Sequence, residues 1–454
     1  MSHKFCIAAI SSGSGKTTIT LGLLAALKKR GLLVQPFKCG PDYIDPGYHK
    51  EASGVISRNL DSWMMGPEAV TDSFNSAMST KDVAVIEGVM GLYDGASSTD
   101  IVGSSAHIAK ITSTPVFLII NARGIARTIA PIVRGFIDFE EGVEIAGIIV
   151  NNIGSDRHAD ILKEALEYAK LPPLVGFLKR NDKWKIPERH LGLVPGTEQG
   201  IPQQWYSELA DEIENSFDLN QILELSHYAA DNSSQAVKTK EASLRLGVAL
   251  DKAFHFYYED NLDALRSCGI ELVPFSPLTD TEIPANLDGI MIGGGFPEVF
   301  ADQLSANSSM RDSIKLFADN GGVIYAECGG LMYLSQAITN KENNKFSMCG
   351  VLPFETEMNN KLRRLGYREA RTCQDSLLGP AGTEYRGHEF HWSSIVDDAK
   401  PEPCCESRGT RGTREWKKAG CITQNVYATY IHAHFDSNPA LVENIVQFLG
   451  GHKK

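Results

Sequence analysis

Along the first half of the chain, short runs of mostly apolar residues alternate with longer stretches in which apolar positions recur every three or four residues. The runs are Phe5–Ile10, Leu33–Phe37, Val83–Ile86, Val116–Ile120 and Ile145–Val150, and the clearest helical stretch is Thr17–Lys29. A strand that is apolar at successive positions is covered on both faces, and the intervening helices do the covering. The pattern predicts an α/β domain built on a doubly wound parallel sheet. It breaks at His227–Ser243, a polar run without sustained periodicity that reads as a linker. Apolar strands resume at Leu246–Leu250, Leu272–Phe275, Gly289–Ile292 and Val323–Ala326, predicting a second α/β domain. The expected division is 1–226, a linker at 227–243, and 244–454. Residues from about 340 to 413 are rich in Gly, Arg and polar side chains and read as more β-like and loop-rich.

Composition narrows the class without naming a chemistry. The 454 residues are 43% hydrophobic and 22% charged, ordinary values for a globular protein with a core in each half. With 44 Lys+Arg against 56 Asp+Glu, the net charge of −12 provides no general excess for neutralising nucleic-acid phosphates. No apolar stretch reaches membrane-spanning length, and the N-terminus lacks a signal-peptide pattern. Nine Cys without paired spacing suggest reduced thiols and a cytoplasmic protein. The adjacent Cys404 and Cys405 read as residues of a surface loop.

Chemistry first appears at Ser11–Thr18, SSGSGKTT, between a strand and a helix. This is the context of a phosphate-binding loop. Gly13 and Gly15 allow close backbone approach, and Ser14 and Thr18 complete the cradle at the helix N-terminus. Lys16 is placed to reach the β/γ-phosphates and Thr17 to ligate Mg²⁺. The usual Gly five residues before Gly15 is replaced by Ile10, with Ala9 one residue further back, which resembles the longer loop variant of dethiobiotin-synthetase-like proteins, where Gly is common at that position. The second and third strands are followed by FKCGPDYIDP and IEGVMGLYDG. In a parallel sheet these segments leave the same edge as the phosphate loop, where ligands bind. Asp42, Asp45 and Glu87 are candidates for metal and nucleotide organisation, and Lys38 for neutralising charge on a transferred phosphoryl group. Asp before Pro or Gly also caps turns, most plainly at Asp94.

In the second half, Val323–Tyr333 reads as strand, tight turn and helix with Cys328 at the turn. Such an elbow exposes a nucleophile, and the helix N-terminus favours a thiolate. The segment Tyr430-Ile431-His432-Ala433-His434 offers a base, although side chains two apart on a strand are about 6–7 Å apart, so only one His meets Cys328. Gly293–Gly295 is placed to supply oxyanion-binding N–H groups. Arg386–His391, RGHEFH, reads as structural or substrate-facing.

Taken in order, SSGSGKTT, FKCGPDYIDPGYH, SRNLD, VIEGVMGLYDG, PERHLGL, GGGFPE, AECGGLMYL, RGHEFH and YIHAHF resemble the cobyrinic acid a,c-diamide synthases over nearly the whole chain. The resemblance implies a dethiobiotin-synthetase-like ATP-binding domain joined to a class I, triad-type glutamine amidotransferase domain. It implies ATP- and glutamine-dependent amidation of the a and c side-chain carboxylates of cobyrinic acid in cobalamin biosynthesis, with ATP as substrate and Mg²⁺ as cofactor. Cys328 is then the nucleophile and His432, rather than His434, its partner, with Lys38 acting in phosphoryl transfer. Asp42, Ile44 and Asp45 match a segment for nucleotide, metal and substrate-carboxylate binding, and Thr17, Asp45 and Glu87 are the implied metal ligands. The triad's third member is left open, because position 434 carries His where such amidotransferases have Glu. Nickel-sirohydrochlorin and hydrogenobyrinic acid stand as alternative acceptors, and a P-loop regulatory protein with a degenerate amidotransferase module as a distant one. The expected partners are small molecules, ATP, L-glutamine and a corrinoid or related tetrapyrrole, with neither nucleic acid nor membrane; a homodimer is compatible.

Overall fold

The computed structural model describes residues 2–186, 188–189, 192–193, 201–228, 241–396, 401–410 and 414–452, with backbone alone at 188–189 and 192–193. The chain divides into two compact units, Met1–Ala236 and Val237–Lys454. Residues 229–240 of the expected linker lie outside the described residues, and its first two, His227–Tyr228, form a strand antiparallel to Ser2–Ala9.

The first unit is a sheet whose main strands, in chain order, are β1 Ser2–Ala9, β2 Val34–Cys39, β3 Arg58–Leu60, β4 Val83–Glu87, β5 Val116–Asn121, β6 Ile145–Ile153 and β7 Leu174–Lys179. Their spatial order is β3-β2-β4-β1-β5-β6-β7, all parallel. Side chains alternate between faces, and in β1 Phe5, Ile7 and Ala9 enter one core while Cys6 and Ala8 enter the other. Both faces are therefore dry, as the unbroken apolar runs require. Helix α1, Lys16–Lys29, is buried from Ile19 to Leu27. It passes so close to helix Gln203–Ser216 that a Cβ at Gly22 would lie 2.6 Å from Ile213. The topology brings β2, β4 and β1 side by side, which sets three separate sequence motifs on one edge.

The second unit centres on a six-stranded sheet ordered Ile270–Phe275, Leu244–Ala249, Gly289–Ile292, Val323–Glu327, Val426–Thr429 and Cys421–Thr423. All neighbours are parallel except the last pair. Alternation again splits the strands between two cores: Ile324 and Ala326 enter one, Val323 and Tyr325 the other. The region beyond residue 340 is β-rich, as expected. Arg364–Thr372 and Glu384–His391 form a long antiparallel pair, extended by Cys405–Gly409 and by His432–Ala433. This corrects one expectation: Cys404 and Cys405 are fully buried where that sheet meets the core, not in a surface loop. Among the described residues no helix is long and apolar enough to cross a membrane.

Candidate active sites

The loop after β1 turns at Gly13 and Gly15, with φ of 72° and 96°. Only glycine adopts these angles readily, and at Gly15 a Cβ would also lie 2.1 Å from the Asn151 amide nitrogen. Asn151, at the end of β6, donates from its side chain to the Ser14 carbonyl at 2.9 Å and braces the loop. Ser14 itself donates to the Ser11 carbonyl at 2.9 Å. Thr18 donates more loosely to the Trp184 carbonyl at 3.3 Å. Lys16 folds back on the loops and donates to the Met90 carbonyl at 2.5 Å. Burial, with the Lys38 charge second, lowers the Lys16 pKa.

Below the loop lies a buried charge cluster. In the sheet register Lys38 on β2 is the neighbour of Glu87 on β4, so the two side chains share a face. The Lys38 ammonium lies 2.9 Å from Glu87 Oε1 and 2.5 Å from Asp45 Oδ2. Thr17 donates to the same Glu87 oxygen at 2.8 Å. The other Glu87 oxygen is 2.7 Å from His49 Nε2, whose Nδ1 is 3.0 Å from the Ser57 hydroxyl. Burial opposes charge on Glu87, but the Lys38 ammonium and the His49 hydrogen bond outweigh it and hold the carboxyl below its usual range. Burial likewise opposes charge on Lys38, and the attraction of Asp45 and Glu87 outweighs it. Asp45 is pushed up, first by burial and then by Asp42. Burial and Asp42 thus disfavour the charge on Asp45, while the Lys38 ammonium and His49 keep Glu87 charged in a dry setting.

Asp42 caps the turn into helix α2, Asp45–Ser53: its Oδ1 accepts from the backbone N–H groups of Ile44, at 2.8 Å, and Asp45, at 3.1 Å. Ile44 is the residue preceding that helix. Asp94 caps its own turn by accepting from the Gly91 N–H at 2.8 Å. Sequence reasoning missed His49 and Asn151. The first was hidden inside a motif valued for its acids, and the second announces itself only through the position of β6 beside the loop.

Among the described residues, no three His, Cys, Asp or Glu side chains are grouped to hold a metal by themselves. The donor set of one hydroxyl, Thr17, and two carboxylates, Asp45 and Glu87, nevertheless fits Mg²⁺. That ion takes few protein ligands and completes its shell with water and substrate phosphate.

In the second unit, Cys328 has φ 46° and ψ −98°, a conformation non-glycine residues rarely adopt. Strain of this kind costs about 1–3 kcal/mol and gathers where a side chain must be aimed. The following helix, Gly329–Leu334, has only six residues, so its dipole is short. Small residues around the turn are required. A Cβ at Gly330 would lie 2.2 Å from the Ile292 carbonyl, and one at Gly329 would lie 3.0 Å from the Gly295 nitrogen.

The Gly293–Gly295 run lies against this elbow, as expected, but its first N–H donates to the Tyr257 hydroxyl at 2.8 Å. Cys328 N–H donates to the Thr429 carbonyl at 2.7 Å. Neither N–H is therefore open to an oxyanion in this arrangement. His432 packs edge-on against Gly294, where a Cβ would lie 2.3 Å from ring carbon Cε1. Burial lowers the affinity of His432 for a proton, but its interactions with Cys328 and Glu327 outweigh burial and raise the pKa to about 10.

His434 does not join this group. It is fully buried, burial lowers its pKa to about 4, and its ring centroid is 4.8 Å from that of Tyr258. Of the RGHEFH histidines, His391 is structural: it stacks on Tyr430 at 3.9 Å and bonds Ser393 and Glu389. His388 stands opposite His432 in the strand register, and burial lowers its pKa to about 3.

Comparisons with known proteins follow the same two-part division. Residues 5–194 match the CobQ/CobB/MinD/ParA nucleotide binding domain, and residues 245–440 the CobB/CobQ-like glutamine amidotransferase domain. The chain is 44% identical to the cobyrinate a,c-diamide synthase of Syntrophotalea carbinolica over 99% of both proteins. It is 44% identical to that of Dehalococcoides mccartyi, covering 99% of this chain and 98% of the relative. The Listeria innocua enzyme is also 44% identical, over 100% of both. With identity at this level running end to end through both domains, the chain belongs to the cobyrinate a,c-diamide synthase family.

Proposed function

We propose that this protein converts two side-chain carboxylates of cobyrinate to amides, using ATP to activate each acid and glutamine as the source of nitrogen. The observation that carries the reading is the coexistence in one chain of two differently built centres. One is a phosphate loop over the buried Thr17–Lys38–Glu87 cluster; the other is a strained Cys328 beside His432.

A carboxylate resists attack by ammonia because its carbonyl carbon is electron-rich and its oxygen is a poor leaving group. In the proposed first step a substrate carboxylate oxygen bonds to the γ-phosphorus of ATP as the bond to ADP breaks, giving an acyl phosphate. Gly13, Ser14, Gly15 and Thr18 form the phosphate cradle, with Asn151 keeping it in shape. Lys16 leaves the Met90 carbonyl for the phosphates, and Lys38 offsets charge on the transferred group. Thr17, Asp45 and Glu87 would hold Mg²⁺, which when bound neutralises phosphate charge. Asp42 and Ile44 form the turn that presents Asp45 and borders the substrate carboxylate.

At the other centre, the Cys328 sulfur bonds to the side-chain amide carbon of glutamine while His432 delivers a proton to the departing ammonia. Water then cleaves the thioester, releasing glutamate and restoring the thiol. The ammonia nitrogen attacks the acyl phosphate carbon, and inorganic phosphate leaves.

The test is incubation of the purified protein with ATP, Mg²⁺, glutamine and, separately, cobyrinate, hydrogenobyrinate or nickel-sirohydrochlorin, followed by mass spectrometry. Gain of two amides on cobyrinate supports the reading. Diamidation confined to another macrocycle would replace the acceptor, and glutamine hydrolysis without any amide product would overturn the reading.

A further inference from the structure

We infer that Glu327, the residue immediately before the nucleophile, is the acid that positions His432 and completes the amidotransferase triad. The inference rests on the reading of Cys328 and His432 as the glutamine-hydrolysing pair.

An imidazole that must both accept and deliver a proton needs one ring nitrogen held by an acceptor, so that the other faces the nucleophile. The residue two positions after His432 cannot do this. His434 carries no negative charge, is fully buried, and both its ring nitrogens lack hydrogen-bond partners. The Asp436 carboxylate lies 3.9 Å from His434 Nδ1.

Glu327 has the required position. Its Oε2 lies 3.6 Å from His432 Nδ1, with both side chains only 3% exposed. That separation is an ion-pair distance and longer than a formed hydrogen bond. Catalytic contacts are often long before substrate binds and tighten in the complex. The carboxylate is itself fixed through its other oxygen. Oε1 accepts from the Tyr325 hydroxyl at 2.6 Å and from the Ala433 backbone N–H at 3.0 Å. The second bond ties Glu327 to the residue next to His432, so the acid and the segment carrying the imidazole are positioned together. Tyr325 remains a donor, because burial and the Glu327 charge hold its proton.

The local backbone explains how one strand delivers both nucleophile and acid. In an extended strand, residues 327 and 328 would point to opposite faces. The positive φ at Cys328 ends the alternation, and both side chains interact with His432. The position of the acid has thus moved from the histidine strand to the nucleophile strand, leaving 434 to a packed neutral ring.

Glu327→Gln tests this with least disturbance. It keeps an oxygen for Tyr325 and Ala433 and replaces the charged acceptor facing His432 with a neutral N–H donor. Glutamine hydrolysis should lose on the order of 10²–10⁴-fold in kcat with little change in KM. Amidation with added ammonium should persist, and the pH midpoint for alkylation of Cys328 by iodoacetamide should move, because His432 has lost its counter-charge. Glu327→Asp, which restores the charge at shorter reach, should recover part of the rate. Unchanged hydrolysis and an unmoved alkylation profile would overturn the assignment. So would equal loss of glutamine- and ammonium-dependent activity, which marks a folding role. If Glu327→Gln does not fold, Tyr325→Phe carries the same test, with a smaller loss confined to the glutamine reaction. A wild-type protein that cannot hydrolyse glutamine at all would instead remove the functional reading on which the inference stands.

Discussion

Gly294→Ala is a one-carbon perturbation that should separate the two reactions of this chain. The backbone at Gly294 is not in the left-handed region and pairs with Phe256 across a short antiparallel ladder, so alanine suits the local conformation. The new methyl group, however, would lie 2.3 Å from His432 Cε1 and 3.2 Å from both ring nitrogens. Carbon–carbon contact is comfortable only near 3.5–4.0 Å, so the ring must retreat by more than about 1 Å. A displacement of that size in a catalytic group costs on the order of 10²-fold, or about 2.7 kcal/mol of barrier. Glutamine-dependent amidation should therefore fall by about that factor, while amidation supplied with ammonium chloride proceeds at the wild-type rate. The assay is parallel initial-rate measurement with each nitrogen source, with circular dichroism to verify folding. A glutamine-dependent rate within about threefold of wild type would refute the argument, because the ring would have moved without consequence. Parallel loss of both rates in a folded protein would refute it too.

Cys328→Ala should abolish glutamine-dependent amide formation and the glutamyl thioester, with ammonium-dependent amidation preserved; retention of glutamine-dependent product would exclude Cys328 as nucleophile. Lys38→Met should eliminate amidation from either nitrogen source. It should also destabilise the first unit by about 3–5 kcal/mol, because Glu87 and Asp45 lose a buried counter-charge; urea denaturation measures the second effect. Gly15→Ala meets both a φ of 96° and the Asn151 amide, so ATP binding by titration calorimetry should weaken while glutamine hydrolysis without ATP is retained. His432 is raised from 6.5 to about 10 in the folded state. Its protonation therefore contributes stability that is full below about pH 6.5 and lost as pH rises through about 10. The urea midpoint of wild type should fall relative to His432→Gln across that window, and a pH-independent difference would count against the interaction.

The sequence by itself determined the strands, their burial on both faces and the existence of two α/β units, because these follow from local periodicity. The phosphate loop and the cysteine elbow were also legible, since each is a contiguous segment whose glycine spacing reflects a backbone requirement. Other features depended on which distant segments became neighbours. The order β2-β4-β1 is not written in any window of residues, yet it brings Lys38, Glu87 and Thr17 together. The same edge shows Asp42 used in capping a turn and adds His49 to the acids. Cys404 and Cys405 looked like loop residues because their neighbours are polar, but a sheet formed from segments far along the chain covers them. The meeting of His432 with Cys328, which the resemblance implied but alternation alone did not, and the approach of Glu327 to that ring were likewise fixed in three dimensions. Period-two alternation leaves the two histidines equivalent, and only the positive φ at Cys328 and the register of Val323–Glu327 against Val426–Thr429 determine which imidazole meets the thiol and which carboxylate stands behind it.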